Sequence, residues 1–477
     1  EKKEPILFIS TEEPRERKDV EYILSEGKSK SWYVKEVKES EQKRSPKAPF
    51  TTSTLQQAAS SRLGFSPSRT MQIAQKLYEA GHISYMRTDS TTISKQVLSA
   101  IADVIVKKYG KEYLEPREYK TKSKNAQEAH EAIRPTHVEK LHAGNNEEQK
   151  RLYDLIWERT VSSQMTDAKL LKTRILSNVE GDTIPDFSAN GSRVLFLGWL
   201  TVDTGARGED VELPALKQGD PLTLIELSDT EKQTEPPNRY SEAGLVKELE
   251  ARGIGRPSTY AAIISTLEIR GYIEKINRSL KPTDTGEVVS TFLEQNFMQY
   301  ISDTFTAEME NELDDIASGD RDYVKTLKDF YTPFKKDVKE KEKLDKATTL
   351  EVADAKYKCP TCGGGMVVKL GRGGKFLSCD KYPECHGALM IDGTEIKEDE
   401  PLGTDPETKL PIFTKVGRFG PYVQLGFMPE RGKAKKGEKK LKPKMASIPK
   451  TIDPSTVTLD MALQYLSLPR ILGAHPE

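Results

Sequence analysis

The sequence predicts a multidomain α+β protein with helical domains, a β-rich segment, a zinc ribbon and small β repeat modules. Three observations support this prediction. The chain has 477 residues, which is too long for a single compact core. Apolar residues recur at helical spacing in residues 54–110 and 240–340, whereas residues 168–227 are rich in β-branched residues and turn formers. All four cysteines lie within residues 359–385 and therefore belong to one local site.

The composition excludes two classes of protein. Apolar residues make up 36% of the chain and charged residues 31%, and no run approaches the roughly 18 apolar residues of a membrane-spanning helix. Four clustered cysteines cannot be the disulfide framework of a secreted fold. The 73 basic and 74 acidic residues give a net charge of -1, so attraction to nucleic acid has to be sought locally.

Local patterns predict the first elements. A strand is expected over Ser31–Val37, followed by a polar linker, KRSPKAP. Ser66 or Ser68 can cap a helix that Gly81 ends, and a second helix is expected from about Ser94 to Tyr109. The apolar face of the first helix comprises Ile73, Ala74, Leu77 and Tyr78.

Two later segments carry strong local charge. Residues 301–320 hold seven acids and no base, whereas residues 431–450 hold nine bases and one acid. The basic stretch is either a solvated linker or a segment attracted to phosphate. Residues 402–407 (LGTDPE) resemble residues 472–477 (LGAHPE), which suggests a weak internal repeat and a sequence that ends inside its second copy.

The cysteine spacing predicts a zinc site. The chain reads C-P-T-C, sixteen residues, then C-D-K-Y-P-E-C, and this spacing brings two pairs of thiolates together around one Zn²⁺ ion. Four sulfur ligands leave no position for water, so the zinc would be structural. His386 is a competing ligand, although four thiolates are the simpler set. The predicted ligands are Cys359, Cys362, Cys379 and Cys385.

Basic and aromatic residues alternate around this site and in the following GRFGPYVQ segment. Such interleaving suits single-stranded nucleic acid, because aromatic rings stack on bases while cations follow the backbone. For single aromatics such as Phe376 and Phe419 the alternative is a role in the core of a small β unit. The candidate binding residues are Arg372, Phe376, Tyr382, Arg418, Phe419 and Tyr422.

The segment GHISYMRTDS suggests a nucleophile beside an anion-binding residue. Tyr85 and Arg87 are two positions apart and would share one face if the segment is extended. A phenol ordinarily titrates near pH ~10, so attack on a phosphodiester needs nearby cations, and the planar guanidinium of arginine binds phosphate at two points. On spacing alone, a packing role for Tyr85 is the simpler alternative.

Four segments in order resemble the signature blocks of the type IA topoisomerases, the bacterial DNA topoisomerase I family, and the cysteine unit with GRFGPYVQ resembles the C-terminal modules of that family. The resemblance covers almost the whole chain. The four blocks are PFTTSTLQQAAS, RTMQIAQKLYEAGHISYMRTDST, NAQEAHEAIRPT and GIGRPSTYAAIISTLEIRGYIEK.

The resemblance implies roles for individual residues. Tyr85 would cleave one DNA strand and hold its 5′ phosphate as a phosphotyrosine, with Arg87 on the scissile phosphate. His130 resembles the active-site histidine of the family, and Arg134 follows at the four-residue spacing of a helix. Outside the resemblance, His130 would be taken as a helix-surface residue.

The GIGRPSTYA block matches the DNA-binding region of the family near the active site. Pro257 and Ser258 are typical of a helix start, and a helix N-terminus with polar side chains suits phosphate. The DNA-binding residues expected here are Arg256, Ser258 and Thr259.

The resemblance also implies a domain plan, that of a toroidal gate. Residues 1–45 and 165–235 would form the β-rich arch, 46–164 the active-site tyrosine domain and 236–345 a helical domain along the DNA groove. The tail would divide into further modules: a four-cysteine zinc ribbon at 355–392, a Cys-less repeat at 393–430, a basic linker at 431–450 and a truncated second repeat at 451–477.

One departure from the family pattern is large. The toprim domain, which in the family carries an acidic Mg²⁺ site and a catalytic glutamate, has no counterpart in the sequence. The Asp320 and Asp322 pair is the one candidate for its Asp-x-Asp motif, and we interpret it as structural. We therefore expect a fragment of a longer enzyme, truncated at both ends, with Mg²⁺ bound by the missing domain.

The expected function is ATP-independent relaxation of negatively supercoiled DNA by cleavage, passage and religation of one strand. The expected partner is single-stranded or negatively supercoiled DNA, bound by a monomer in the bacterial cytoplasm at the nucleoid, with no membrane association. An RNA substrate stays open. The alternative is a non-catalytic protein that binds single-stranded nucleic acid through a degenerate topoisomerase body and a zinc-ribbon tail.

Overall fold

The computed structural model of the chain describes residues 5–119, 131–342, 344, 349–371, 374–395, 401–417, 420–427, 443–449 and 452–467. The chain divides into two compact units. The first is built from residues 1–270, 275–281 and 302–328, and the second from residues 271–274, 282–301 and 329–477.

The described helices fall mainly in the two segments that the sequence predicts to be helical, with a β-rich segment between them. The helices are α1 (Arg17–Ser29), α2 (Thr52–Leu63), α3 (Pro67–Glu79), α4 (Lys95–Tyr109), α5 (Glu147–Ser162), α6 (Glu242–Ala251), α7 (Tyr260–Ile269), α8 (Asp284–Ile301), α9 (Asp303–Ser318), α10 (Tyr323–Lys341) and α11 (Leu459–Leu466). None of the described helices is long and apolar enough to cross a membrane.

The strands belong to three larger sheets and one hairpin. They are β1 (Ile9–Ser10), β2 (Trp32–Arg44), β3 (Ala168–Val179), β4 (Phe187–Phe196), β5 (Pro221–Leu222), β6 (Ile273–Ile276), β7 (Ser279–Pro282), β8 (Thr349–Val352), β9 (Met366–Gly371), β10 (Gly374–Cys379), β11 (Ala388–Met390), β12 (Gly403–Thr404), β13 (Pro411–Gly417), β14 (Gly420–Leu425) and β15 (Met445–Ser447).

Helices α2 to α5 enclose the main hydrophobic core of the first unit. Local signals fix their ends: Thr51 and Thr54 form a capping box at the start of α2. Ser66 caps α3, where Pro67 occupies the first turn. The core is apolar and closely packed, and its fully buried members include Phe50, Leu55, Leu77, Ile101, Ile105, Ile133, Leu152 and Ile156.

The predicted helix ends are confirmed closely, and one face prediction is wrong. Helix α4 begins one residue after Ser94, and Gly110 follows its last residue. On α3, Ile73, Ala74 and Leu77 are buried as expected. Tyr78 is instead 40% exposed, because it lies in the last turn, where its ring meets another exposed tyrosine and not the core.

The β-rich segment of the first unit is an antiparallel sheet of five strands in the order β1-β4-β3-β2-β5. Strand β2 is longer than the predicted Ser31–Val37, since it pairs with β3 all the way to Arg44. The Trp199 indole donates to the Arg44 carbonyl at 2.7 Å and fixes that end. The polar linker expected after the strand is correspondingly shorter.

Helices α6, α7 and α9 complete the first unit. Helix α6 packs on α2 and α7 packs on α3, with a small apolar cluster of Val246, Tyr260 and Ile264 between α6 and α7. Acidic side chains of α9 turn towards arginines of the 251–256 turn. The acidic patch seen in the sequence is therefore partly neutralised inside the fold.

The second unit contains α8, which is kinked at Phe297, and two small sheets. One sheet has the order β11-β10-β9-β8 and the other β12-β13-β14-β15. Strand β15 lies in the stretch that the sequence assigns to a basic linker, yet it pairs with β14. Helix α11, expected in a separate truncated repeat, packs into the same core as β13 and β14. The described parts of residues 401–467 thus share one core.

We predict that the main core depends on single aliphatic side chains of α4. The Ile101→Ala substitution should lower the free energy of unfolding by about 2–5 kcal/mol, because Ile101 is fully buried and the change leaves a cavity. The matched control Val106→Ala, on the same helix but 42% exposed, should change it by less than roughly 0.5 kcal/mol. Urea unfolding followed by far-UV circular dichroism measures both, and equal losses would contradict the packing described here.

Candidate functional site

Tyr85 lies in an irregular segment after α3, with bends at Ser84 and Met86 in place of the fully extended backbone that the spacing argument assumed. Burial alternates along it: Tyr85 is 43% exposed, Met86 is 1% exposed, Arg87 is exposed and Thr88 is 2% exposed. Tyr85 and Arg87 are thus both exposed to solvent, on either side of the buried Met86.

The start of α2 holds this segment from one side. The Thr52 hydroxyl donates to the Met86 carbonyl at 2.7 Å and accepts from the Thr88 amide at 2.8 Å. The Thr52 amide donates to the Thr88 carbonyl at 2.8 Å. Because these bonds reach the backbone on both sides of Arg87, they fix the direction in which Arg87 and Tyr85 point.

Residues 131–136 hold the segment from the other side. The Ser84 amide donates to the Arg134 carbonyl at 2.8 Å, and the Ser84 hydroxyl donates to the Ala132 carbonyl at 2.7 Å. Isolated antiparallel bridges join Phe50 to Ile133 and Ile83 to Pro135. Ser84, the residue before Tyr85, is therefore held by hydrogen bonds from both its backbone amide and its side-chain hydroxyl.

Neighbouring groups connect this segment to the GIGRPSTYA block. The Tyr78 ring meets the Tyr85 ring edge to face, with centroids 5.3 Å apart. The Ser53 hydroxyl donates to the Glu250 carboxylate at 2.7 Å. Burial is the main cause that raises the pKa of Tyr260 to about 12. The negative charge of Glu250 is the next, and Asp89 adds to it. The two blocks are therefore neighbours in the first unit.

Arg134 does not lie on a helix, contrary to the spacing argument. It occupies extended backbone, because Pro135 follows it and disfavours helical geometry in the preceding residue and because its amide donates to Ser84 at 2.9 Å. Its guanidinium pairs with Glu131 and donates to the Pro135 carbonyl at 3.0 Å. His130 lies outside the described residues.

The carboxyl of Glu131 is held ionised in this arrangement. Burial raises its pKa, but hydrogen bonds from the Arg134 guanidinium and from Ser94 outweigh burial and lower it below the ordinary value. The Arg134 side chain is only 13% exposed. This pair therefore anchors residues 131–134 beside the Tyr85 segment.

The GIGRPSTYA turn differs in detail from the expectation. Helix α7 begins at Tyr260, with Thr259 as its N-cap residue, so Pro257 and Ser258 lie in the turn before it. The Arg256 guanidinium donates to Asp314 of α9 at 2.8 Å and lies 3.9 Å from Glu310. Ser258 and Thr259 are exposed. The Thr259 hydroxyl accepts from the Arg256 amide at 2.8 Å and donates to the Arg256 carbonyl at 3.1 Å, so it holds the turn together. The Arg256 side chain is paired with α9 and does not face solvent freely.

Sequence reasoning missed three residues that shape this site. Thr52 is the backbone clamp, Tyr78 contacts the Tyr85 ring, and Glu250 joins α6 to α2. The signal for Thr52 was present, since PFTTSTLQQ begins a helix with a threonine cap. The partners of the other two could be found only from the tertiary structure.

The four cysteines come together at one end of the sheet β8–β11. Their Sγ atoms all lie within 4.8 Å of one another; Cys359 and Cys385 are 3.6 Å apart and Cys362 and Cys379 are 3.5 Å apart. Tetrahedral zinc with bonds of about 2.3 Å places sulfurs roughly 3.8 Å apart. The thiol set fits Zn²⁺, and His386 is not part of it.

The surroundings of the thiols support structural zinc. Burial raises the pKa of the Cys359 thiol, but hydrogen bonds from the Cys362 and Thr361 backbone outweigh it and lower the pKa to about 6. The unit has a small core beside the thiols, formed by Met366, Val368, Leu377 and Leu389. A core this small needs metal binding for its folding energy.

The predicted aromatic residues of the tail differ in exposure. Tyr382 is 52% exposed, with the Lys369 ammonium 4.5 Å from its ring centroid and the His386 ring 5.4 Å away. Phe376 in β10 and Tyr422 in β14 are half-buried, as residues of small β units often are. Arg372, Arg418 and Phe419 lie outside the described residues.

Three family models match the chain. The model described as DNA topoisomerase matches residues 7–328. The topoisomerase DNA binding C4 zinc finger matches residues 356–392, and the topoisomerase C-terminal repeat matches residues 405–477. The last match spans β13 to α11, in agreement with their shared core.

Several curated proteins and a solved structure are similar over most of the chain. DNA topoisomerase 1 of Rickettsia felis is 38% identical over 96% of this chain and 64% of the relative. The Synechocystis protein of the same name is 40% identical over 94% and 52%. Full-length topoisomerase I from Thermotoga maritima matches with a TM-score of 0.66 and 34% identity, over 82% of this chain and 64% of that one. The chain therefore spans between half and two thirds of the length of these relatives.

We predict that zinc content depends on the cysteines and not on His386. Wild-type chain should retain about one zinc per chain after dialysis, whereas Cys379→Ser should lose it, because Cys379 is a fully buried member of the thiol set. His386→Ala is the control and should retain zinc. Elemental analysis measures the stoichiometry; loss of zinc in the histidine variant alone would contradict the four-cysteine site.

We predict that Thr52 stabilises the Tyr85 segment through its hydroxyl. The Thr52→Val substitution keeps the shape but leaves the buried Met86 carbonyl and Thr88 amide without that partner, which should cost about 1–3 kcal/mol. Thr52→Ser keeps the hydroxyl and should cost no more than roughly 1 kcal/mol. Denaturant unfolding and amide exchange at Thr88 measure both; indistinguishable variants would show that the bonds contribute little.

Proposed function

We propose, from the premise that this chain belongs to the type IA DNA topoisomerase family, that it carries the strand-cleaving half of an ATP-independent type I DNA topoisomerase. Tyr85 attacks one strand, the break opens for passage of another strand, and the break is resealed. The observation that carries the proposal is the solvent-facing Tyr85 and Arg87 pair on a segment bonded from both sides.

The cleavage step follows from the chemistry of this pair. The Tyr85 oxygen forms a bond to phosphorus while the bond from phosphorus to the 3′ oxygen breaks, and the strand keeps its 5′ phosphate on the tyrosine. The phenol loses a proton and the leaving oxygen gains one. Arg87 stabilises charge on the phosphate, because its planar fork binds two oxygens at once. Resealing is the reverse attack, so the bond energy is retained without ATP.

DNA contacts are proposed at three further places. Ser258 and Thr259 are exposed hydroxyls at the turn before α7 and suit a backbone phosphate. His130 is proposed as the active-site histidine from the family resemblance alone. Arg134 would act mainly by positioning residues 131–134 beside Tyr85, because its guanidinium is occupied by Glu131. Arg256 would act similarly through its ion pair with Asp314.

The tail would add contacts to single-stranded DNA. Exposed Tyr382, with Lys369 over its ring, offers a surface for stacking beside a cation. Phe376 and Tyr422 lie on strands of the two small sheets, and Arg372, Arg418 and Phe419 are proposed as DNA-binding residues from the sequence alone. Preference for single-stranded or negatively supercoiled DNA follows, because unpaired bases are needed for stacking.

Mg²⁺ belongs to this proposal through the family resemblance, which assigns it to the toprim domain. Among the described residues, the one cluster of three or more metal-binding side chains is the cysteine set. Asp322 accepts from the Lys325 amide at 2.7 Å at the start of α10, which agrees with a structural role. The described carboxylates do not form a magnesium site, so no step is derived through the ion.

The alternative proposal is a non-catalytic protein that binds single-stranded nucleic acid. The same exposed aromatics and cations of the tail would support it. The solvent-facing phenol beside an arginine on a braced backbone favours the enzyme, because binding alone does not require a fixed nucleophile.

We predict a covalent protein–DNA adduct through Tyr85. A single-stranded oligonucleotide labelled at its 3′ end, mixed with the chain, Mg²⁺ and a toprim domain from a relative, should give a labelled band at protein size on a denaturing gel. Tyr85→Phe should abolish the band, since phenylalanine has no oxygen to attack. Tyr22→Phe removes a similarly exposed hydroxyl from α1 and should leave the band unchanged.

Two results would overturn this proposal. An adduct that persists in Tyr85→Phe would place the nucleophile elsewhere. Absence of any adduct, with oligonucleotide binding retained in a fluorescence anisotropy titration, would favour the non-catalytic alternative.

A further inference from the structure

A solvent-open cavity of about 340 Å³ lies in the first unit, lined by residues other than the Tyr85 segment. One wall is the exposed face of α2, including Thr54, Gln57 and Ser61. The opposite wall is the first turn of α6, including Gly244, with Lys247 one turn further on. Lys47, from the segment before α2, and Arg159 of α5 complete the lining.

Four cations line this cavity: Lys47, Arg62, Arg159 and Lys247. Arg62 forms a two-point ion pair with Asp203, with distances of 2.6 and 3.1 Å. Among the described residues, no carboxylate lies within ion-pair distance of the other three. The cavity therefore gathers four cations near the carboxylate of Asp203, whose ion-pair partner is Arg62 and whose charge also acts on Lys47 and Arg159.

Arg159 is the most deeply buried of the four cations. It is 6% exposed, and its described partners are the Phe50 ring, 4.1 Å from the guanidinium carbon, and the Ala48 carbonyl at 3.4 Å. Burial lowers the pKa of Arg159 to about 10. The negative charge of Asp203 opposes this shift, and the positive charge of Arg62 adds to it. Arg159 is still charged at neutral pH, and a buried cation without an anion is costly.

The pKa values of Lys47 and Glu158 also reflect the cations gathered at this cavity. Partial burial, and then the nearby Arg159 and Arg62, lower the pKa of Lys47. Burial, and then the negative charge of Asp203, raise the pKa of the Glu158 carboxyl to about 7 against the opposing charge of Arg62, so at neutral pH Glu158 offsets only part of the positive charge. These cations repel one another, and an anion bound among them would relieve the repulsion.

The start of α6 lines the cavity and brings the partial positive charge of a helix N-terminus. The Gly244 amide is bonded to the Ser241 hydroxyl at 3.0 Å, and Glu242 of the same turn pairs with Lys275. Hydrogen-bonding groups for an anion therefore come from the α2 wall, which supplies hydroxyl and amide side chains. This combination matches the chemistry of a phosphate group, which needs both charge and hydrogen-bond donors.

We propose that this cavity binds a backbone phosphate of a single-stranded DNA segment, at a site separate from Tyr85. The proposal rests on the proposed function for the identity of the ligand as DNA. Because Arg62 lies in the last turn of α2 while Lys247 and Gly244 belong to α6, a phosphate held here would also link these two packed helices. The second source of the same chemistry is free inorganic phosphate.

Lysine footprinting on the full chain tests the proposal. The chain is acetylated briefly with a single-stranded oligonucleotide, with inorganic phosphate or with sodium chloride at equal ionic strength, and each lysine is quantified by mass spectrometry. The oligonucleotide should lower the modification of Lys47 and Lys247 several-fold. Lys172, an exposed residue of β3, should be unaffected.

A paired binding measurement uses Lys47→Gln with Lys247→Gln, and Lys172→Gln as the matched control. For single strands each lost phosphate contact should reduce the slope of log affinity against log salt by about 0.7. The double variant should show that reduction, and the control should keep the wild-type slope. Neither of the two substituted lysines is buried, so the variant should fold.

The outcomes separate this proposal from the proposed function. One outcome is that the Tyr85 adduct forms, DNA does not protect the two lysines, and the double variant keeps the wild-type slope of log affinity against log salt. The cavity proposal then fails and the proposed function stands. If inorganic phosphate protects them and DNA does not, the cavity is a free-anion site and the proposal is overturned. If DNA does not bind the chain at all, both proposals fail.

Discussion

The hydroxyl of Thr52 bonds to the backbone on both sides of Arg87, and the geometry of the candidate site depends on these bonds. An exposed irregular segment is ordinarily mobile, since nothing on its outer face is packed. Here the inner face is anchored by buried Met86 and Thr88, and the N-terminus of α2 supplies the hydrogen bonds. A side chain that must meet a phosphate in line gains from such fixed backbone, because orientation is then settled before the ligand arrives.

Helices α6 and α7 extend this framework through charged groups. Glu250 accepts from Ser53 at the start of α2, and Arg256 bonds to Asp314 of α9. Arg256, which the sequence suggested as a DNA-binding residue, and the acidic helix α9 are therefore partners of each other. The exposed groups of the Tyr85 segment include Arg87, and a second group of cations lines the cavity between α2 and α6.

The tail follows a different physical principle. Its small sheets bury few side chains, and in the zinc ribbon the four thiols stand in for a larger core. In the following module, β15 and α11 provide the missing apolar surface, with Ile448, Ala462 and Leu466 packed on Ile412 and Val423. A basic composition between these elements hid that continuity, because lysine-rich stretches resemble linkers whether or not a strand follows them.

The sequence alone determined the local features: the α3 and α4 boundaries through Ser66, Ser94 and Gly110, and the cysteine set. These depend on neighbours along the chain, on capping groups, on periodicity and on ligand spacing, all of which the sequence contains. Tertiary structure decided what depends on distant partners: the exposure of Tyr78, the extended backbone at Arg134, the pairing of Arg256 with Asp314, and the length of β2. It also placed Lys47, Arg62, Arg159 and Lys247 around one cavity, because residues up to 200 positions apart meet only when α2, α5 and α6 pack together.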